Sequence, residues 1–446
     1  MNQTELLQRR LALFPLSVHI GAGDSPRMSI GGIDLVELTH TYGTPLYLYD
    51  RLTLDTCVQE YRQALKVHYP GHSAITYAGK AFLCKAIVQW AQKQGLWVDC
   101  TGTGELAIAQ AAGLTRDQVL VHGVSKSEAD LTQALAQAGT IVVDNLTELM
   151  HLRALLGDNP ERSPDLWLRL RPGMAVNTHN YTQTGQEDSK FGMHPAEILE
   201  AIRYCLIENL PVKGLHFHQG SHFHDPTPIE PALEIALDVV SEAHTEFGWI
   251  PEVICPGGGW GVPYHEDDLP HLTVASYVEF IGKRLVHGCS IRNVPLPRLQ
   301  LEPGRSLVAR AGVAVYRLEA VKHTLNRRWL LLDGGLADNP RPALYRARYS
   351  ALPISGLQRP FVSPAWLAGP YCESGDILIE ELDMPELSVG EFIAIPVSGA
   401  YQLSMSSNYN GARRPAVVWL DNGRATLIQR RETLEDLVRR DLPLPA

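Results

Sequence analysis

Between about residue 51 and residue 310, eight short apolar runs alternate with longer stretches of helical spacing. The runs are Ala74–Ala78, Leu96–Asp99, Val119–His122, Ile141–Asp144, Leu166–Leu170, Val212–His218, Val253–Cys255 and Leu299–Glu302. Between them, apolar positions recur every three or four residues, as in Leu83, Ala86, Ile87 and Trp90, the period of a helix face. Eight strands separated by helices are the count that closes a parallel (β/α)8 barrel.

The rest of the chain follows another rule. Val313–Leu318, Trp329–Leu332, Ile377–Ile379, Phe392–Pro396 and Ala416–Leu420 read as strands joined by turns, and Pro45–Tyr49 reads the same way. At 446 residues two domains are expected. The expected fold class is α/β plus β. A TIM-like (β/α)8 barrel spans 51–310, and a second β-rich domain, sandwich- or barrel-like, is built from 1–50 and 311–446.

Bulk chemistry narrows the partners. A formal charge of −10 without a long basic run excludes nucleic acid as the expected partner. There is no apolar stretch of the roughly 18 residues a membrane span needs. The opening Met1-Asn2-Gln3-Thr4-Glu5 lacks the basic-then-apolar order of a secretory signal. Seven scattered cysteines without CxxC spacing read as reduced thiols, so the expected compartment is the cytoplasm.

Barrel enzymes carry their chemistry on the loops after the strands, and those loops are chemically rich here. Lys80 ends the first run. The seventh leads into Pro256-Gly257-Gly258-Gly259-Trp260-Gly261, and the eighth into Glu302-Pro303-Gly304-Arg305. Glycines let backbone amides approach an anion closely, and the loops after strands seven and eight are where such barrels bind phosphate. A phosphate site, a strand-end amine and a strand-end carboxylate together point to pyridoxal phosphate. Lys80 would hold the aldehyde as a Schiff base, and Glu302 would keep the pyridine nitrogen protonated. His216-Phe217-His218-Gln219-Gly220-Ser221 admits two readings. Either His216 and His218 bind a metal, or one imidazole stacks on a cofactor ring while Ser221 bonds its phosphate. The two histidines share a strand parity, so the choice between them stays open; the expectation is stacking and no metal.

These residues, taken in order, resemble the alanine-racemase-fold (fold type III) pyridoxal-phosphate decarboxylases. The segments that carry the likeness are Tyr77-Ala78-Gly79-Lys80-Ala81, Gly104-Glu105-Leu106, Ser189-Lys190-Phe191-Gly192, His218 to Ser221, Gly257-Gly258-Gly259, Glu302-Pro303-Gly304-Arg305, Arg341-Pro342-Ala343-Leu344-Tyr345, Cys372-Glu373-Ser374-Gly375-Asp376 and Gly399-Ala400-Tyr401. Phe82, Phe217, Gln219, His222, Pro256 and Trp260 depart from the usual pattern without removing a reactive group.

The resemblance implies a role for each matched position. Lys80 is the Schiff-base lysine, and His218 is the ring-stacking imidazole. Ser221, Gly257, Gly258, Gly259, Gly304, Arg305 and Tyr401 surround the phosphate. Glu302 is the pyridine-nitrogen partner, with Asp99 and Arg169 as further polar groups nearby. Arg305, Arg341, Tyr345, Glu373 and Tyr401 bind substrate, and Cys372 is the proton donor, supplied by the neighbouring subunit. The implied assembly is a homodimer with shared active sites. The implied reaction is loss of CO2 from an amino acid, with meso-2,6-diaminopimelate expected to give L-lysine. A carboxylate partner sustains a cationic pyridine, which suits decarboxylation. The alternatives are another basic amino acid (ornithine, lysine, arginine or carboxynorspermidine) and, from a different class, a metal-dependent barrel hydrolase.

Overall fold

The computed structural model describes residues 2–23, 26–173 and 185–445. The chain divides into two compact units. One comprises Val58–Gly261 and Leu272–Ser306; the other comprises Met1–Cys57, Val262–His271 and Leu307–Ala446.

The first unit is the barrel. Its strands, Ser73–Ala78, Trp97–Thr101, Val119–His122, Thr140–Val143, Asp165–Leu170, Val212–Phe217, Val253–Cys255 and Arg298–Leu301, pair in chain order. The eighth closes on the first in parallel, with Leu301 opposite Ile75. Both faces of such strands are covered, so they read as continuous apolar runs; Val119–His122 and Thr140–Val143 are buried at every position. Several barrel helices start on side-chain caps that satisfy their free N–H groups. Ser127 accepts from Asp130 N, Asn145 from Glu148 N and Thr273 from Ser276 N.

Leu120, Val142, Trp167, Val253 and Cys255 form one buried cluster. All five come from strands and none from a helix, which places the cluster inside the barrel. Side chains two residues apart on a strand share a face. Two residues beyond Leu120, Val142 and Trp167, on the same inward parity, stand His122, Asp144 and Arg169. Trp97 and Asp99, Gly214 and His216, and Gln300 and Glu302 follow the same step. The barrel therefore holds a largely apolar layer and, one layer nearer the C-terminal ends of its strands, a titratable one.

The second unit contains a nine-stranded sheet and a small three-stranded one of His19–Ile20, Met28–Ile30 and Ile33–Asp34. Leu46–Asp50 lies between Gly312–His323, antiparallel to it, and Ala416–Asp421, parallel to it. Three strands of the large sheet lie outside the runs expected from sequence: Ser363–Ala368, Arg424–Gln429 and the two-residue Leu352–Pro353. The first contains Pro364 and the second is largely exposed, so neither shows the buried β-branched pattern that marks a strand. Leu46 and Leu48 enter an apolar cluster with Phe14, Met28, Val313, Val315 and Val418. On the opposite face, Tyr49 donates to Gly399 O at 2.8 Å.

Tyr47, on that same opposite face, donates to Asp338 Oδ2 at 3.0 Å, and Tyr316 donates to the same oxygen at 2.5 Å. Burial outweighs these bonds and pushes the Asp338 carboxyl up to about 6. Between about pH 4 and 6 the native state then holds a proton that the unfolded state has released, so the contribution of Asp338 falls as pH rises through that window. Its full size is about 3 kcal/mol, the difference of roughly two pKa units. Asp338→Asn is expected to flatten the pH dependence of stability over that range, as read from denaturant midpoints at pH 4, 5 and 6. A parallel displacement of the whole curve would show that Asp338 does not titrate there.

Candidate active site

The C-terminal ends of the barrel strands gather most of the residues singled out from sequence. Lys80 sits in a single 3-10 turn, Gly79–Ala81, directly after the first strand, and its side chain is exposed. The turn packs tightly: a Cβ on Gly79 would lie 2.5 Å from Asp99 O, and one on Gly304 would lie 3.0 Å from the Cβ of Ala78. Ala78 N donates to Pro303 O at 3.2 Å, tying the first strand's end to the eighth's. Arg305 Nη2 donates to Ser221 Oγ at 3.0 Å.

Gly257 and Gly259 adopt φ of +74° and +101°, backbone that favours glycine. A Cβ at Gly257 would meet His218 Nδ1 at 2.5 Å, at Gly258 it would meet Glu302 O at 2.1 Å, and at Gly259 it would meet Gly220 O at 2.3 Å. The triplet is thus the only residue type that lets the His218 loop, the Glu302 loop and the seventh strand's loop converge.

Glu302 is buried and bonded at both oxygens. His122 Nε2 lies 3.1 Å from Oε1 and His216 Nε2 lies 3.1 Å from Oε2. Burial alone would raise the carboxyl; the electrostatic pull of His122 and His216 and the hydrogen bonds they give it outweigh burial and hold Glu302 well below the usual carboxylate range. Burial draws His216 down to about 4, so it is a neutral imidazole at pH 7. His218 is also held well below the imidazole range, by burial first and then by the charges of Lys80 and Arg169. Asp99 is raised by burial against the pull of His122 and Lys80, and its Oδ1 is buried with no hydrogen-bond partner among the described residues. Arg169 lies 3.7 Å from Asp144 Oδ1, and its guanidinium carbon is 4.4 Å from the centre of the Phe191 ring.

Sequence reasoning left open whether His216 and His218 share a metal. Among the described residues, the three whose ligand atoms converge are His122, His216 and Glu302, within 4.8 Å of one another; His218 lies outside that set. His216 belongs to the strand's inward face, whereas His218 lies one residue beyond the strand end and is half-buried at the glycine triplet. His122 was missed. The available signal was a polar residue closing the third strand on the inward parity. Glu105 was noticed only as part of a motif, yet burial pushes its carboxyl up to about 7.

The remaining residues belong to the β-rich unit. Arg341 opens the short helix Arg341–Tyr345 and is buried. Its guanidinium carbon lies 4.4 Å from the Tyr264 ring centre and 5.6 Å from that of Tyr349, and its Nη1 donates to the Tyr349 hydroxyl. Tyr264 and Tyr349 carried no motif that marked them from sequence. Tyr345 reaches Met405 Sδ at 3.9 Å, and Tyr401 has a positive φ of 62°. Cys372 and Glu373 are exposed; Cys372 N donates to Asn410 Oδ1 at 2.9 Å, and Glu373 Oε1 accepts from Gly375 N at 3.3 Å.

A buried anionic carboxylate, an accessible lysine, an imidazole and a glycine cradle, all at one end of a barrel, fit pyridoxal phosphate. Comparison with known proteins agrees. The family model for pyridoxal-dependent decarboxylases, pyridoxal binding domain, matches residues 54–309. The diaminopimelate decarboxylase of Bacillus subtilis (strain 168) is 39% identical over 421 residues, covering 93% of this chain and 95% of that protein. That of Synechocystis sp. is 36% identical over 439 residues, covering 96% and 92%. The crystal structure of diaminopimelate decarboxylase from M. jannaschii in complex with L-lysine superposes with a TM-score of 0.87 at 29% identity, covering 96% of this chain and 98% of that one. The chain therefore belongs to the pyridoxal-dependent decarboxylase family, alongside the diaminopimelate decarboxylases.

Proposed function

We propose that this enzyme removes CO2 from meso-2,6-diaminopimelate to give L-lysine, using pyridoxal phosphate. The observation that carries the reading is Glu302, a buried carboxylate held as an anion at the mouth of the barrel. When bound, the cofactor supplies an electron sink for the pair released as CO2 leaves. Lys80 would anchor it through its amine, and Glu302 would accept the pyridine N–H and keep that nitrogen cationic. His218 would lie against the ring. Ser221, the Gly257–Gly259 backbone, Gly304, Arg305 and Tyr401 would hold the phosphate, with Asp99 and Arg169 completing the charge balance.

Substrate recognition needs a cation for the distal carboxylate and an anion for the distal amine. Arg341 or Arg305 would supply the first and Glu373 the second, with Tyr345 as a further substrate-binding group. Cys372 would deliver the proton that replaces CO2 on the α-carbon. Both Cys372 and Glu373 lie exposed on a single chain, which suits residues that serve a second copy, so the working unit is a homodimer with shared sites. Seven free cysteines, six of them buried, suit a reducing cytoplasm, and no helix among the described residues is long and apolar enough to cross a membrane.

The L-lysine found with the M. jannaschii relative matches the expected product. The test is CO2 release from diaminopimelate, ornithine, lysine, arginine and carboxynorspermidine at equal concentration. Diaminopimelate should exceed each of the others by at least about tenfold, the factor that one charge-assisted bond gives. Comparable rates on ornithine or lysine would move the enzyme to a different substrate.

A further inference from the structure

Glu302 has more hydrogen-bond partners than a simple counter-ion requires. The third strand brings His122 to one oxygen and the sixth brings His216 to the other, each at 3.1 Å. The seventh contributes the Cys255 thiol, which also bonds the carboxylate. Asp99 from the second strand and Arg169 from the fifth act on it through space. The two imidazoles sit 4.8 Å apart, ring centre to ring centre, at 63°. Each therefore reaches its own oxygen without blocking the other.

The chemistry of His216 is constrained further. Its Nδ1 is buried with no hydrogen-bond partner among the described residues. A protonated ring would leave a donor orphaned there, which is costly, whereas a neutral ring leaves only a lone pair. His216 is therefore fixed as the tautomer that carries its hydrogen on Nε2 and gives it to Glu302. At 3.1 Å both contacts have the length of a hydrogen bond.

We propose that His122 and His216 are positioning residues that clamp Glu302 from both sides and keep the shared proton on the cofactor's pyridine nitrogen rather than on the carboxylate. The reason is proton affinity. A carboxylate that already accepts two N–H bonds is a weaker base, so it can receive the pyridine N–H without capturing its proton. Neither histidine need touch the cofactor. The inference rests on the proposed pairing of Glu302 with that nitrogen.

The test compares Asn and Gln replacements at both positions in the holoenzyme. Glutamine carries an amide N–H to about where imidazole Nε2 lies, while asparagine stops at about Nδ1. The pairs thus differ in reach and little in polarity or fold. The readout is the nitrogen-15 resonance of cofactor labelled at the pyridine nitrogen, recorded without substrate, together with kcat and KM. In His216→Asn and His122→Asn the resonance should move towards the unprotonated position, with kcat about tenfold lower, the effect of one lost charge-assisted bond, and KM within about twofold. His216→Gln and His122→Gln should restore the resonance to its native position. An unmoved resonance in the Asn variants overturns the clamp, and so does a Gln variant that behaves like its Asn counterpart. Stoichiometric zinc in the wild-type apoenzyme, lost in His216→Gln, overturns it as well. Glu302→Gln separates the two levels: if the resonance is unchanged there, the pairing of Glu302 with the nitrogen is itself wrong.

Discussion

Lys80→Ala is expected to lower turnover by at least about 10²–10⁴-fold, the range that removing one positioned catalytic side chain spans. The anchoring amine is lost at the same time. The side chain is exposed, in a turn whose close packing comes from Gly79 and Gly304 rather than from Lys80. Folding stability should therefore change by no more than about 0.5 kcal/mol, as for other surface positions. Two measurements check the result. The variant should no longer retain cofactor covalently after borohydride reduction, and peptide mapping of the reduced wild type should place the label on Lys80 alone. A label on another lysine, or turnover within tenfold of wild type, would place the anchoring amine elsewhere.

Arg341→Ala should reduce kcat/KM for diaminopimelate by about 10²-fold and leave cofactor affinity within about twofold. A guanidinium grips a carboxylate with two parallel bonds, and at roughly 1.5 kcal/mol or more each their loss comes to about 3 kcal/mol, or two orders of magnitude. Arg341 is held ready for this, set against the rings of Tyr264 and Tyr349. Arg341→Lys keeps the charge and loses the planar fork, so it should recover only part of the rate. Substrate titrations set against cofactor titrations decide the matter: equal loss of both would mean that Arg341 supports the fold and does not select substrate.

The barrel was legible because its strands are buried on both faces, and a run such as Val119–His122 therefore has no polar alternation to confuse it. The reactive strand ends were legible for the same reason, since Lys80, Glu302 and the glycine triplet interrupt apolar runs. Residues that act by holding others were not. His122 reaches Glu302 across the barrel interior and Cys255 from the neighbouring strand, and sequence separation says nothing of either distance. Tyr264 and Tyr349 flank Arg341 through rings that look like ordinary apolar filling. The β-rich unit was harder to read, because Ser363–Ala368 and Arg424–Gln429 are partly exposed and carry proline or charge.

Leu46–Asp50 finds its two neighbours only after the ribosome has made Gly312–His323 and Ala416–Asp421. All eight barrel strands, in contrast, pair within residues 73–301. Synthesis proceeds from the N-terminus and domains fold as units, so the barrel can close while this segment still waits, its edges unsatisfied. A chain arrested before Gly312 would carry a closed barrel and an orphan strand of the kind that recruits other edges, which makes the last third of translation the vulnerable period for this enzyme.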